Sequence, residues 1–149
     1  MESAFNRLVL MTPTNHPSGD VSMIRLLLVG SGGFIGSILR YLLSGFVQQS
    51  FKSVGFPYGT LAVNIMGCFF IGFLSQLAET RGLFTTESRA FIFVGILGGF
   101  TTFSAFGNET LNLWQDGENL LALTNVGGQL VLGLGAVWVG RALTHQIWG

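Results

Sequence analysis

Charged side chains are scarce in this chain of 149 residues. Aspartate, glutamate, lysine and arginine make up 9% of it, and the formal net charge is zero. Soluble globular domains carry about 25% charged residues, so the composition is not that of a soluble protein. The zero net charge also argues against nucleic acid as a partner, because phosphate binding needs a basic surface.

Side chains that form disulfides or bind zinc are equally scarce. The chain has one cysteine, Cys68, which lies within an apolar run and excludes an internal disulfide framework. The two histidines, His16 and His145, lie outside the predicted membrane spans, so no His/Cys cluster predicts a zinc site. The sequence also shows no pairing of a nucleophile with a base, and we predict that the protein is not an enzyme.

Apolar residues dominate the rest of the chain, whose mean hydropathy is +0.58. Four apolar segments each approach or exceed the length of about 20 residues that a membrane-spanning helix needs. These segments are residues 24–47, 58–78, 90–113 and 120–143. We therefore predict an all-α, polytopic membrane protein with four transmembrane helices in residues 23–149. The polar residues 1–22, rich in helix breakers, predict a flexible N-terminal extension.

The third segment has an unusual centre, because three glycines in residues 95–99 are followed at once by hydroxyl side chains. Glycines weaken a helix, and hydroxyl groups compete with its backbone hydrogen bonds. We predict a helix that is broken near the membrane midplane, where such breaks commonly mark ion or substrate sites. The alternative is a kinked helix that packs closely through Gly95 and Gly99. The hydroxyl residues are Thr101, Thr102 and Ser104.

Two polar side chains on the first two spans have two interpretations each. Asn64 is the strongly polar group of the second span; it forms a hydrogen bond between helices or donates to a permeating anion. Arg40 lies near the far end of the first span. Its guanidinium group extends to the lipid headgroups, or it attracts anions at the mouth of a water-filled vestibule.

The later spans offer further candidate ligands for an anion. Phe103 and Phe106 share a helix face with Glu109. The edges of their rings carry partial positive charge and meet an anion without trapping it strongly, although ordinary packing is the alternative. On the last span, Asn125 and Gln129 form one polar face.

The positive charges give only a weak preference for one orientation in the membrane. Four spans place both termini on the same side, together with most of the arginines, while Lys52 and Arg40 lie toward the other side. The positive-inside rule therefore mildly favours internal termini. A bias this weak permits insertion in both orientations.

Motifs on three spans together resemble the Fluc (CrcB) family of small fluoride channels. In chain order they are Gly32-Gly33-x-x-Gly36-x-x-x-Arg40-Tyr41, Gly59-Thr60-Leu61-x-Val63-Asn64-x-x-Gly67, and Gly98-Gly99-Phe100-Thr101-Thr102-Phe103-Ser104-Ala105-Phe106 with Glu109. The resemblance covers residues 23–141 in order and spacing. It departs from the family at two positions, since the family usually has threonine at Ala105 and serine at Gln129.

The resemblance implies an antiparallel, dual-topology homodimer of four-helix subunits with two fluoride pores. Such a channel would lower internal fluoride passively, and we expect it in a prokaryotic inner membrane. The family also implies a sodium ion at the dimer centre, held by the carbonyls of Gly98 and Thr101 of both subunits. The expected fluoride pathway and its vestibule comprise Asn64, Thr102, Phe103, Ser104, Phe106, Gln129 and, in the vestibule, Arg40.

Two other functions stay open from the sequence. Small proton-coupled multidrug exporters are also four-helix, dual-topology dimers, but they need a membrane-embedded carboxylate that usually lies in the first helix. Here the carboxylate nearest a span is Glu109, late in the third. A non-transporting scaffold or accessory subunit would use the glycine faces for packing alone, which leaves the run Thr-Thr-Phe-Ser at residues 101–104 unexplained.

Overall fold

The computed structural model describes residues 22–51 and 55–148, and these residues form an all-helical chain. The three uninterrupted helices are α1 (Met23–Phe51), α2 (Tyr58–Arg81) and α6 (Asn119–Trp148). Between α2 and α6 lie α3 (Thr86–Arg89), a π-helical segment (Ala90–Leu97), α4 (Gly98–Phe100) and α5 (Phe103–Gln115). The predicted N-terminal extension lies outside the described residues, apart from its last residue, and stays a prediction.

Four parts of this chain are long and apolar enough to cross a membrane, which confirms the predicted number of spans. They are Met23–Phe51, Tyr58–Arg81, Thr86–Gln115 and Asn119–Trp148, with mean hydropathies of 1.6 to 1.8. The helices run further than the sequence indicated, because Arg81 ends α2 and Glu87 already lies in α3. The connection between α2 and α3 is therefore only residues 82–85.

The end of α2 and the start of α3 have recognisable capping residues. Gly82 follows α2 with φ 61°, a left-handed conformation that suits glycine, and its N–H donates to the Ala78 carbonyl. Thr85 precedes α3 with an extended backbone, and its Oγ1 accepts a hydrogen bond of 3.3 Å from the Ser88 amide. These caps turn the chain back into the third span within one short loop.

The helices pack in two pairs, with α1 against the first part of the third span and α2 against α6. Glycines lie where the backbones approach most closely. A Cβ atom on Gly36 of α1 would collide with the Ile96 carbonyl, and one on Gly72 of α2 would collide with the Val137 carbonyl of α6. Gly32 and Gly36, four residues apart on α1, both lie in this contact.

The interior is narrow, and most large apolar side chains face outward. Val63, Asn125 and Thr144 are fully buried, and Thr144 Oγ1 donates to the Phe73 carbonyl at 3.0 Å, which links α6 to α2. Large side chains such as Phe34 and Trp138 are exposed. Outward-facing apolar side chains on every long helix are expected when the surrounding medium is lipid.

Candidate ion pathway

Two extended residues, Thr101 and Thr102, separate α4 from α5. Thr101 has φ −90° and ψ 158°, and Thr102 has φ −150° and ψ 114°. The Thr101 amide and hydroxyl both donate to the Leu97 carbonyl at 3.0 Å. Thr102 caps α5, because its Oγ1 accepts a hydrogen bond of 3.2 Å from the Ala105 amide. One threonine therefore ends the helical ladder and the next begins a new one.

The glycines before this point lie inside helical segments. Gly98 has ordinary right-handed angles, φ −64° and ψ −38°. Gly95 and Gly99 instead serve close packing, since a Cβ on Gly95 would lie 3.0 Å from Gly32 Cα and one on Gly99 would lie 2.6 Å from Gly33 O. The sequence had assigned the weakening of the helix to glycines and hydroxyl residues together, whereas the extended residues are the threonines.

Asn64 on α2 forms hydrogen bonds with both peptide groups of Thr102. Its Oδ1 accepts from the Thr102 amide at 2.8 Å, and its Nδ2 donates to the Thr102 carbonyl at 3.0 Å. The same Nδ2 donates to Gln129 Oε1 on α6 at 3.2 Å. The side chain of Asn64 thus joins three helices at the level of the extended residues.

These contacts also fix which way the Gln129 amide points. The Thr102 amide can only donate, so the Asn64 atom that faces it must be Oδ1, and Nδ2 must face Gln129. Gln129 therefore turns Oε1 toward Asn64 and Nε2 away from it. Gln129 Nε2 is a buried donor that no acceptor among the described residues satisfies.

A cleft of about 380 Å³ collects most of the predicted pathway residues. Asn64 and Gln129 line it on one side, and Phe103 and Phe106 line it on another. The two phenylalanine rings lie 5.4 Å apart between centroids at an interplanar angle of 63°, an edge-to-face arrangement. The edge of such a ring carries partial positive charge. The cleft is therefore lined by an amide side chain and two aromatic rings.

A second, wider cleft of about 1140 Å³ lies on the α1 side of the interrupted helix. Arg40 and Ser104 line it, and Thr102 lines both clefts. Arg40 Nη1 donates to the Thr101 carbonyl at 3.4 Å. The guanidinium group therefore points to the interruption, and the vestibule role stays a prediction.

A polar pair in the wide cleft was not part of the pathway expected from the sequence. Thr60 Oγ1 donates to Glu109 Oε1 at 2.6 Å, and the carboxylate is half-buried. Thr60 precedes Asn64 by one helical turn, so both side chains face the third span. That spacing is the sequence signal that could have identified Thr60.

The two carbonyls expected to hold sodium have both lost the amide that a continuous helix would supply. In such a helix the Thr102 amide would donate to Gly98 O and the Ala105 amide to Thr101 O. Here the Thr102 amide donates to Asn64, and the Ala105 amide donates to the Thr102 hydroxyl. Carbonyl oxygens at an unwound helix are suitable ligands for sodium, and each has two lone pairs. Thr101 O uses one of them for the Arg40 guanidinium group, so Gly98 O is the more open of the two to a cation. The donor chemistry fits sodium, best at Gly98.

The fold and the clefts define a multi-pass membrane protein in which polar groups converge on an interrupted helix. The model of the family described as CrcB-like protein, camphor resistance (CrcB), matches residues 27–141. The chain belongs to that family.

Several curated relatives are similar to this chain over most of its length. "Fluoride-specific ion channel FluC 3" of Methanosarcina barkeri is 44% identical over 121 residues, which cover 81% of this chain and 90% of that protein. "Fluoride-specific ion channel FluC" of Elusimicrobium minutum is 47% identical over 76% of this chain and 87% of its own length. The protein of that name from Opitutus terrae is 49% identical over 77% and 88%. These names describe ion channels, in agreement with the prediction that the chain is not an enzyme.

Proposed function

We propose that this protein is a passive, fluoride-selective channel that lets fluoride leave the cell and so lowers its toxicity. The observation that carries the proposal is the free Nε2 donor of Gln129, held in one cleft with the rings of Phe103 and Phe106. The names of the relatives, which are 44–49% identical to this chain, give fluoride as the ion.

The chemistry of the narrow cleft suits a small, tightly hydrated anion. A pore for such an ion must replace its water with other donors, yet hold it weakly enough to release it. Gln129 supplies an N–H, while the edges of Phe103 and Phe106 supply diffuse positive charge. Thr102 and Ser104 add hydroxyls that share a hydrogen bond of 3.2 Å. Fluoride would pass these groups in turn, and Arg40 would attract it into the wide cleft.

The interrupted helix offers opposite charges to two kinds of ion. The positive end of the α5 dipole lies at Phe103, beside the proposed anion path. The carbonyls of Gly98 and Thr101, which lack their helical amide donors, lie at the negative end of the preceding half-helix. We assign sodium to these carbonyls, where its positive charge would bind the two subunits together at the dimer centre.

The proposed assembly is an antiparallel homodimer inserted in both orientations in a prokaryotic inner membrane. Phe103 supports a partner at this surface, because the residue is 81% exposed in the single subunit although its ring belongs to the proposed pathway. A second subunit would cover that face and complete each pore. The weak charge bias between the two sides of the membrane agrees with dual insertion.

The direct test is fluoride efflux from liposomes that contain the purified protein, recorded with a fluoride electrode beside a chloride control. We expect fast release of fluoride and little release of chloride. Tight liposomes with a verified dimer would contradict the proposal and favour the non-transporting accessory hypothesis.

Two substitutions at one position then test the assigned donor. Gln129→Ser replaces the amide donor with a hydroxyl donor and should retain fluoride release. Gln129→Leu removes the donor and should lower release by about 10-fold, the equivalent of about 1.4 kcal/mol. Equal release from both variants would show that the side chain at this position does not contact the ion.

A further inference from the structure

The side chain of Asn64 has its hydrogen-bonding groups engaged by protein. Oδ1 accepts from the Thr102 amide at 2.8 Å, and Nδ2 donates to Thr102 O at 3.0 Å and to Gln129 Oε1 at 3.2 Å. An amide group has two N–H donors, and both have partners here. Asn64 is therefore not a spare donor in this conformation, and its role lies in what these three bonds hold in place.

The bond to the Thr102 amide decides the state of the Gly98 carbonyl. If the helix continued through this point, that amide would donate to Gly98 O. The Thr101 amide still follows the helical pattern, because it donates to Leu97 O at 3.0 Å. The helical hydrogen bonds therefore stop at Thr102, whose backbone N–H donates to Asn64 Oδ1 instead. Without an acceptor at Asn64, the Thr102 amide would lack this partner in a part-buried place, and closing onto Gly98 O would restore one.

α2 also packs closely against the extended segment. A Cβ atom on Gly67, one turn after Asn64, would collide with the Thr101 Cγ2 methyl group. Glycine at this position lets Thr101 approach α2 closely enough for Asn64 to bond Thr102. Asn64 and Gly67 thus form one cradle on α2 for the extended segment.

We propose that Asn64 is a positioning residue for the cation site, and that it links this site to the anion pathway. By holding the Thr102 amide away from Gly98 O, it keeps that carbonyl available to sodium. By donating to Gln129 Oε1, it turns Gln129 Nε2 toward the fluoride path. The inference rests on the proposed function, in which the Gly98 and Thr101 carbonyls hold sodium.

The test compares the thermal unfolding of the full-length protein, purified in detergent, in sodium chloride and in N-methylglucamine chloride. Sodium should raise the melting temperature of the wild type in a saturable way, and the half-maximal concentration reports its affinity. Asn64→Leu, of similar volume but without an acceptor, should raise that concentration at least 10-fold. Asn64→Ser, too short to reach Thr102, should do the same and serves if the leucine variant does not fold.

Two matched variants separate the bond to Thr102 from other effects at the same place. Gln129→Leu removes the other partner of Asn64 but leaves the Thr102 contact, so the sodium response should stay as in the wild type. Asn64→Asp keeps an oxygen that accepts from the Thr102 amide, so the sodium response should not be lost. A lost response in Gln129→Leu would assign the effect to the amide pair as a whole and overturn the proposal.

The remaining outcomes are equally decisive. An unchanged sodium response in Asn64→Leu or Asn64→Ser would overturn the positioning role while the channel proposal stands. A wild type that does not respond to sodium would overturn this inference and the sodium assignment together. Fluoride efflux from the same wild-type preparation would then show separately whether the protein is a fluoride channel.

Discussion

The two parts of residues 95–102 have opposite structures although both were expected to weaken the helix. The glycine part, residues 95–99, is helical and lies against α1, where Gly99 approaches Gly33 O. The threonine part, Thr101 and Thr102, is extended and lies against α2. Glycine serves here to let backbones approach, and the interruption arises where side chains replace the backbone hydrogen bonds. A glycine, which lets two helices approach, and a side chain that replaces backbone hydrogen bonds therefore have different effects on the helix.

The largest effect is expected from filling the glycine contact between α1 and the third span. Gly36→Leu would place side-chain atoms where the Ile96 carbonyl lies, so we expect a loss of about 3 kcal/mol or more in the free energy of unfolding. Thermal or denaturant unfolding in detergent measures it. Gly30→Leu is the matched control on the same helix, because a Cβ there has no atom within 4 Å, and it should change stability by about 0.5 kcal/mol or less.

The threonine part is tested by a substitution that removes the hydroxyl cap of α5 but keeps the shape of the side chain. Thr102→Val loses the acceptor for the Ala105 amide, which should cost about 1–2 kcal/mol of stability. Thr124→Val is the control, because its hydroxyl bonds only the Leu120 carbonyl within α6, at 2.7 Å. Equal losses in the two variants would show that the Thr102 hydroxyl does not cap α5.

The role of α5, which follows the interruption, is tested by replacing two of its phenylalanine rings. Phe103→Ile and Phe106→Ile each remove a ring edge worth about 0.5–1.5 kcal/mol, so fluoride efflux should fall by about 2- to 10-fold while the dimer still forms. Phe46→Ile changes an exposed ring on α1 and should leave efflux unchanged. Unchanged efflux in both α5 variants would contradict the pathway assignment.

The smallest effect on stability is expected from adding one methyl group at Gly98, and the neighbouring Gly99 serves as the comparison. A Cβ on Gly98 would meet only Phe93 O, at 3.9 Å, so Gly98→Ala should raise the stability of the subunit by up to about 1 kcal/mol through helix propensity. Gly99→Ala should lower it, because its Cβ would lie 2.6 Å from Gly33 O. Unfolding of the two variants side by side measures the difference. Similar losses in both would place a second surface, such as a partner subunit, against Gly98.

The sequence identified the four spans, and most of the residues expected along the pathway line one cleft, but their connections did not follow from the sequence. Runs of apolar residues determine where helices lie in a membrane, so the spans followed from hydropathy. The role of each glycine did not follow, because a glycine in a helix is recognised as a packing residue only when the neighbouring helix is known. For the same reason, Gly67 did not stand out as the contact point of Thr101.

Asn64 illustrates the limit for polar residues. Its isolation in an apolar span predicted a partner or a ligand, and both interpretations were open. Which backbone group it meets depends on the placement of a segment 38 positions later in the chain. In the structure, Asn64 bonds the backbone N–H and C=O of Thr102. The N–H donor without an acceptor among the described residues belongs to Gln129. Spacing along one helix does not contain this information.

The central claim is that the third span stays helical through its glycines and is interrupted at Thr101 and Thr102. Carbon-13 chemical shifts of the labelled protein in lipid bilayers report backbone conformation residue by residue. The account predicts helical shifts for residues 95–99 and extended shifts for both threonines. Helical shifts at Thr101 and Thr102, with the departure from helix at the glycines, would contradict it.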